Sequence, residues 1–561
     1  MIEKILFFLF FYLLIFSVIG YGNFVFNLVF HKDAIKSTKN NNYIYFGFYG
    51  LAFITLISFI TSYFTSHGYI HNAILHLIGF YFFFKYSTHR KIFFNKLIIL
   101  TTISIPILLI SKTHDDFSYY HFPFTKYLIE QNIIFGMGYL NLGYNLISSI
   151  FFLNSTFYLP FIEYYSFHFP IIYFLIFFNL FVISEIYTNR QYLIKYFYIF
   201  AFCFFNLSFN RLAEYGTDKS GQLLIILIII KLIDNIFFNK NKNIIHELLI
   251  LVPLLGYCIT IKTYFIPYII LGLSVFLINK NFFESLKQIL FSKSFLFFLI
   301  FIILNFSHHF ISTGCFISPI SFTCLNIAEW GLSKEDIFSL SKWLEQWAKA
   351  GAGPDFRVED PALYIQNFNW IDNWFSKYFL VKFLDQLMLL ITILFICFFI
   401  FKKFKFSKTN SLKKNKVFCI FFLLTIIATI WLIKHPTLRY GGYSIFFLIT
   451  VYPLLFFFLK FQNVLNFNKR LLFLIIFIFS FVILKNLLRI NDEFHREDHY
   501  RFSNFPYFAI KEVKYRTIFY DKDFKINFSK SHCWGTPSPC GNFKDNIKVK
   551  KLGISNYILK K

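Results

Sequence analysis

The run Leu223-Leu224-Ile225-Ile226-Leu227-Ile228-Ile229-Ile230 is apolar on every side of any helix it could form, and it sits inside an apolar segment, 221–238. A helix without a polar face belongs in a large core or a bilayer. The stretch before it reads Arg211-Leu212-Ala213-Glu214-Tyr215-Gly216-Thr217-Asp218-Lys219-Ser220-Gly221. That is the pattern of a membrane span with ionisable residues gathered at one end. Segments of the same kind recur at 5–28, 44–63, 69–85, 93–110, 165–187, 192–209, 247–263, 264–279, 294–311, 379–401, 417–433, 441–459 and 470–489. A crossing takes about 20 mostly apolar residues, so the expected fold is an all-α polytopic membrane protein with about fourteen spans, twelve at the fewest. The segment 69–85 carries His71 and His76, and 247–279 forms a hairpin with Lys262 at its tip; these are the marginal spans.

Composition agrees. Of 561 residues 57% are hydrophobic and 15% charged, with a mean hydropathy of +0.57, too little charge to cover a soluble surface. The abundance of Phe, Ile, Tyr, Asn and Lys follows A/T-rich codons and carries no functional weight.

The net charge of +26 divides by loop. Lys32, Lys36 and Lys39, the groups around Arg90, Lys195, Lys240 and Lys287, the run Lys402–Lys416, and the cluster at Lys469 and Arg470 form one basic set. The alternating loops 64–68, 111–164, 210–220, 312–378 and 434–440 and the tail after 490 are neutral, acidic or mixed. The positive-inside rule places the basic set in the cytoplasm and the others outside the inner (cytoplasmic) membrane. Nucleic acid is not an expected partner, because the aromatic runs are not interleaved with Lys and Arg. Cys315 with Cys324, and Cys533 with Cys540, fall in regions placed outside by charge alone. Both local pairs are read as disulfides. Walker, dinucleotide, HExxH and GxSxG motifs are absent, which leaves ATP-driven and soluble-cofactor chemistry without support.

The chemistry is expected at the outer span ends. Lys112-Thr113-His114-Asp115-Asp116-Phe117-Ser118-Tyr119-Tyr120-His121 opens the first large loop with two adjacent carboxylates at a low-dielectric boundary. Such a pair suits a general base, or could hold a divalent cation such as Mg or Mn. Residues 119–135 read as a surface helix with Lys126, Glu130 and Gln131 on its polar side. Residues 141–160 read as a second interfacial or re-entrant helix. Glu214 and Asp218 supply acids in the next loop, beside Arg211 and Lys219. Lys434-His435-Pro436-Thr437-Leu438-Arg439 packs three cationic groups between two spans, a partner for a lipid phosphate. The loop 312–378 holds five of the seven Trp residues, a capping signature at Ser333 and, after a glycine-rich break, Arg357.

A carboxylate after the first core span, two helices in that loop and a second acidic loop two spans later resemble the GT-C class of integral-membrane glycosyltransferases over residues 93–310. Three additional spans precede that core. The resemblance implies a GT-C-like fold: 1–92 as three added helices, 93–310 as the core, 312–378 as a large external loop, 379–489 as four further helices and 490–561 as a small extracytoplasmic domain. It implies Asp115 or Asp116 as catalytic base or metal ligand, with Asp218 and Glu214 assisting. The donor would be a polyprenyl-phosphate-linked sugar drawn from the membrane lipid, and the acceptor an envelope glycan, lipid or protein. Arg439, His435 and Lys262, with His121, Tyr119, Arg211, Lys219 and Arg357, are the candidate substrate contacts. An oligosaccharide polymerase or ligase, with Arg357 and Arg439 carrying the chemistry, and a transporter or flippase are the alternatives. The tail and the His-Asp-Asp loop also resemble a group of uncharacterised bacterial membrane proteins.

Overall fold

The computed structural model describes residues 2–30, 43–86, 91–189, 191–208, 216–238, 244–277, 282–325, 327–353, 356–401, 414–458, 467–496, 500, 505–522, 524–542, 547–552 and 555–560. Helices dominate. Among the described residues nine are long and apolar enough to cross a membrane: Ile2–Val29, Tyr43–Thr61, Glu163–Thr188, Thr217–Phe238, Lys293–Thr313, Ile371–Ile400, Asn415–Lys434, Leu438–Phe458 and Phe467–Phe494. Four shorter apolar helices, Phe93–Leu108, Tyr192–Ser208, Glu247–Ile261 and Thr263–Ser274, fall on four more of the expected segments. The remaining segment, 69–85, is the helix Tyr69–Tyr86. Its polar residues point into protein: Asn72 donates to the carbonyls of His67 and Ser155, and His76 pairs with Ser17 and the Thr156 carbonyl.

We number the helices that position the site α1 (Tyr43–Thr61), α2 (Phe122–Glu130), α3 (Ser149–Ser155), α4 (Phe169–Thr188), α5 (Tyr192–Ser208), α6 (Gly216–Phe238), α7 (Ile244–Ile261), α8 (Lys293–Thr313), α9 (Lys334–Ala348), α10 (Lys414–Lys434) and α11 (Tyr443–Phe458). α4, α5 and α6 form the buried centre, and nearly every residue of α4 is inside. Asn179 of α4 and Asn206 of α5 exchange hydrogen bonds at 3.0 and 2.7 Å, a polar link between helices in an apolar medium. The N-terminal helices approach closely: a side-chain carbon on Gly20 would lie 2.0 Å from the Gly79 carbonyl. α8 starts at Ser292, which accepts from the Phe295 amide, and ends at left-handed Gly314. The expected cap at Ser333 is present and accepts from the Asp336 amide at 3.0 Å.

Small sheets lie among the non-spanning parts. Strand β1 (Ile134–Phe135) pairs in parallel with β6 (Ser555–Lys560), which pairs antiparallel with β5 (Ile547–Leu552). β2 (Tyr515–Asp521), β3 (Phe524–Ser529) and β4 (Cys540–Gly541) form a second sheet. The tail is therefore a small β domain joined to the loop 111–164. Both expected disulfides are formed, Cys315–Cys324 and Cys533–Cys540.

Two expectations for the loop 111–164 are revised. α2 is not half-exposed: residues Phe122 to Ile129 are all buried and only Glu130 at its end is exposed, because the tail covers most of the polar side. There the Lys126 ammonium donates to the carbonyls of Gly535 and Thr536, and Glu130 accepts from the Ser538 amide. The second helix is only α3, and it is buried end to end rather than interfacial. Its approach is bonded inside the protein: Asn141 accepts from the Gly143 amide and donates to the Tyr119 carbonyl, while Ser148 donates to the Ile261 carbonyl.

Candidate functional site

Three separate segments meet. Asp116 sits just before a π-helical turn, Phe117–His121. Asp218 lies in the first turn of α6, and Arg439 lies in a second π-helical turn, Leu438–Gly442, between α10 and α11. The guanidinium of Arg439 bridges both carboxylates. Its Nε donates to Asp218 Oδ2 at 3.0 Å and its Nη2 to Asp116 Oδ2. Lys262, between α7 and the helix Thr263–Leu277, reaches the other oxygen of Asp218. Two acids and two bases thus alternate along one chain of contacts, and the four formal charges cancel. Asp218 is 2% exposed, a depth at which a carboxylate must be paired.

Aromatic rings wall this network. Lys262 Nζ lies 4.5 Å from the centre of the Tyr440 ring. Arg439 lies 5.3 Å from the centre of the Trp347 ring of α9. Tyr264 stacks on Tyr440 at 4.5 Å and meets the edge of His435 at 4.6 Å. The turn carrying Arg439 is over-determined. Gly441 has φ +83°, and a side-chain carbon on Gly442 would lie 2.4 Å from the Thr437 carbonyl. The Leu438 amide donates to the Tyr378 hydroxyl at 2.9 Å, and Gln222 of α6 donates to the Leu438 carbonyl while accepting from the Ser444 amide.

The neighbouring acids differ. Asp115 is exposed, and among the described residues its carboxylate has no hydrogen-bond or ion-pair partner. Burial alone would raise the Asp116 carboxyl, but the Arg439 guanidinium and the His114 ring, 3.4 Å away, hold it well below the usual carboxylate range. His121 is buried with Nε2 lacking a partner, and burial lowers it to about 4. His435 is half-buried, with its Nδ1 buried and without a partner, and desolvation lowers it to about 3.

Of the other expected residues, Lys219 is buried beside Asp218 in sequence, and Tyr119 is half-buried with its ring 5.6 Å from that of His532. Arg211 and Glu214 lie outside the described residues. Arg357 is placed by its backbone opposite Ala352 in a two-stranded antiparallel pairing, with Phe356 opposite Gly353. Tyr440, Tyr264, Trp347, Gln222 and His532 are site residues that the sequence did not single out. Only Trp347, in a tryptophan-rich amphipathic helix, carried a readable signal.

Asp115 and Asp116 are the carboxylates that would hold a divalent cation. Among the described residues no group of three or more His, Cys, Asp and Glu side chains converges. Asp116 engages Arg439 and Asp115 is unpaired among the described residues; Mg is ordinarily held by one or two carboxylates, with water and phosphate oxygens completing its six ligands.

No curated protein and no solved structure matches the chain. Residues 4–447 of the 561 match the family described as a domain of unknown function (DUF8201), and the chain belongs to that family.

Proposed function

We propose that the protein is an integral-membrane glycosyltransferase of the GT-C type, with fourteen crossings and an outward-facing site. It moves a sugar from a polyprenyl-phosphate carrier to an envelope glycan, lipid or protein acceptor. The observation that supports this most is the meeting of Asp116, Asp218, Lys262 and Arg439 from segments distant in the chain, at span ends where a lipid-borne donor stays.

The closed charge network suggests how the base is switched on. While Arg439 holds Asp116, that carboxylate is too acidic to accept a proton well at neutral pH. A carrier phosphate is a better bidentate partner for the guanidinium. Once phosphate takes the outer Nη of Arg439, Asp116 loses its compensating cation and its pKa rises. With its free neighbour Asp115 it then accepts the proton of the acceptor hydroxyl. The acceptor oxygen forms the new bond to the sugar's anomeric carbon. The bond from that carbon to the phosphate oxygen breaks, and its electron pair leaves with the phosphate, whose charge is met by Arg439 and Lys262. Half-buried Trp347 offers an aromatic ring against which a sugar can lie.

Trp347 also brings the loop 312–378 to Arg439, which favours a polymerase or ligase as the second reading. Transfer of label from a polyprenyl-phosphate sugar by the purified full chain separates the two. In the transferase, Asp116→Asn and Asp115→Asn together lower turnover by at least about 100-fold, the range of a lost general base. Full activity of both single variants and of the double overturns the assignment.

A further inference from the structure

The tail meets the loop 111–145 through a series of bonds made by one short segment, residues 532–542. The Trp534 amide donates to the Ser118 carbonyl at 3.1 Å, and the Asn542 amide to the Leu140 carbonyl at 2.8 Å. The Tyr144 hydroxyl donates to the Cys540 carbonyl, and Gln131 to the Ser538 carbonyl. Lys126, 5% exposed, donates to the carbonyls of Gly535 and Thr536 and pairs with Glu130 at 3.5 Å. The segment itself is closed by the Cys533–Cys540 disulfide. Without the tail, two of the acceptors of this buried ammonium would be missing, a cost that favours a docked segment.

One side chain extends this contact to the acids. His532 Nδ1 lies 2.7 Å from Ser118 Oγ, and Ser118 Oγ donates to the Asp115 carbonyl at 3.0 Å. Ser118 is buried and sits in the π-helical turn directly after Asp116. The ring of Tyr119 lies beside that of His532. A chain of contacts therefore runs from the disulfide loop through His532 and Ser118 to the backbone that carries Asp115 and Asp116.

We propose that the Cys533–Cys540 loop is a working part of the site, with His532 a positioning residue that fixes the Asp115–Asp116 turn through Ser118. It rests on the reading of those acids as catalytic. The chain would then reach its competent geometry only where the disulfide forms, tying activity to an oxidising compartment.

The test uses the full chain in detergent, with polyprenyl phosphate as the probe ligand and deuterium uptake read over residues 114–123. His532→Ala is expected to raise uptake there and weaken polyprenyl-phosphate affinity about tenfold, near the value of one hydrogen bond, with the unfolding temperature held. His532→Asn, whose amide can occupy the Nδ1 position, should restore both. Reduction of the wild type should reproduce the alanine variant, and so should Cys533→Ser with Cys540→Ser. Unchanged uptake in His532→Ala and in the reduced protein overturns the proposal. If the wild type fails to bind polyprenyl phosphate, the transferase reading falls, while uptake still decides whether the loop positions the turn.

Discussion

Asp218 and Arg439 stand 221 positions apart in the chain and 3.0 Å apart in space. Asp218 is buried and Arg439 half-buried, and each is held by a second charge, Lys262 for the acid and Asp116 for the base. Such networks contribute little net stability as a whole, yet removing one member strands its partners. Arg439→Ala leaves two carboxylates without their shared cation, and we expect about 3–5 kcal/mol of destabilisation by denaturant or thermal unfolding in detergent. Asp218→Asn combined with Lys262→Met should cost much less than either alone. Equal losses in the single and double variants would show that the four charges do not act as one unit.

The turn between α10 and α11 predicts a second effect without any charge. In Gly442→Ala the new methyl would meet the Thr437 carbonyl oxygen at 2.4 Å and the Trp431 ring at 2.9 Å. Backbone cannot yield there, because the Trp431 indole already donates to that carbonyl at 3.0 Å. We expect about 1–3 kcal/mol of destabilisation, the ordinary cost of overpacking. Polyprenyl-phosphate affinity should fall with it, since Arg439 lies in the same turn. A variant as stable as the wild type would mean the turn relaxes.

Desolvated neutral histidines set the response to acid. Outside the spans, burial lowers His121 to about 4 and both His67 and His435 to about 3, from an ordinary value of 6.5. The unfolded chain therefore takes up protons first as pH falls. Stability is full above about 6.5 and falls toward 4, by about 1.4 kcal/mol per pH unit for each histidine. Asp116 works lower: its depressed carboxyl contributes stability above the ordinary carboxylate range and loses it only below. Unfolding temperatures between pH 7.5 and 4.5 should drop steeply, and His121→Leu should make the slope shallower. A flat profile would rule this account out.

What the sequence made legible follows from the range of the forces involved. Spans and loop charges are local properties, so the long helices and the Asp116, Asp218, Lys262 and Arg439 positions could be read directly. Which acid of the Asp115–Asp116 pair is compensated could not, because the answer sits at Arg439. Gln222 reads as an unremarkable residue at a helix start, yet it ties α6 to the Arg439 turn through Leu438 and Ser444. The polar side of α2 suggested water, and only the tail's docking shows that Lys126 faces carbonyl oxygens instead. His532 had no signal at all, being separated from Ser118 by 414 positions.

The sidedness inferred from loop charge has a direct check. Four free cysteines, Cys203, Cys258, Cys397 and Cys419, lie in or against apolar helices, three of them buried and the fourth half-buried. Background labelling by a membrane-impermeant maleimide should therefore be low. Thr65 and Lys522 are exposed and belong to regions assigned outside; Lys240 and Lys405 belong to the basic set. On intact cells Thr65→Cys and Lys522→Cys should label at once, and Lys240→Cys and Lys405→Cys only after the membrane is opened. The opposite pattern would turn the site toward the cytoplasm. There Cys533 and Cys540 would be kept reduced, so the disulfide loop and the outward-facing site stand or fall on the same measurement.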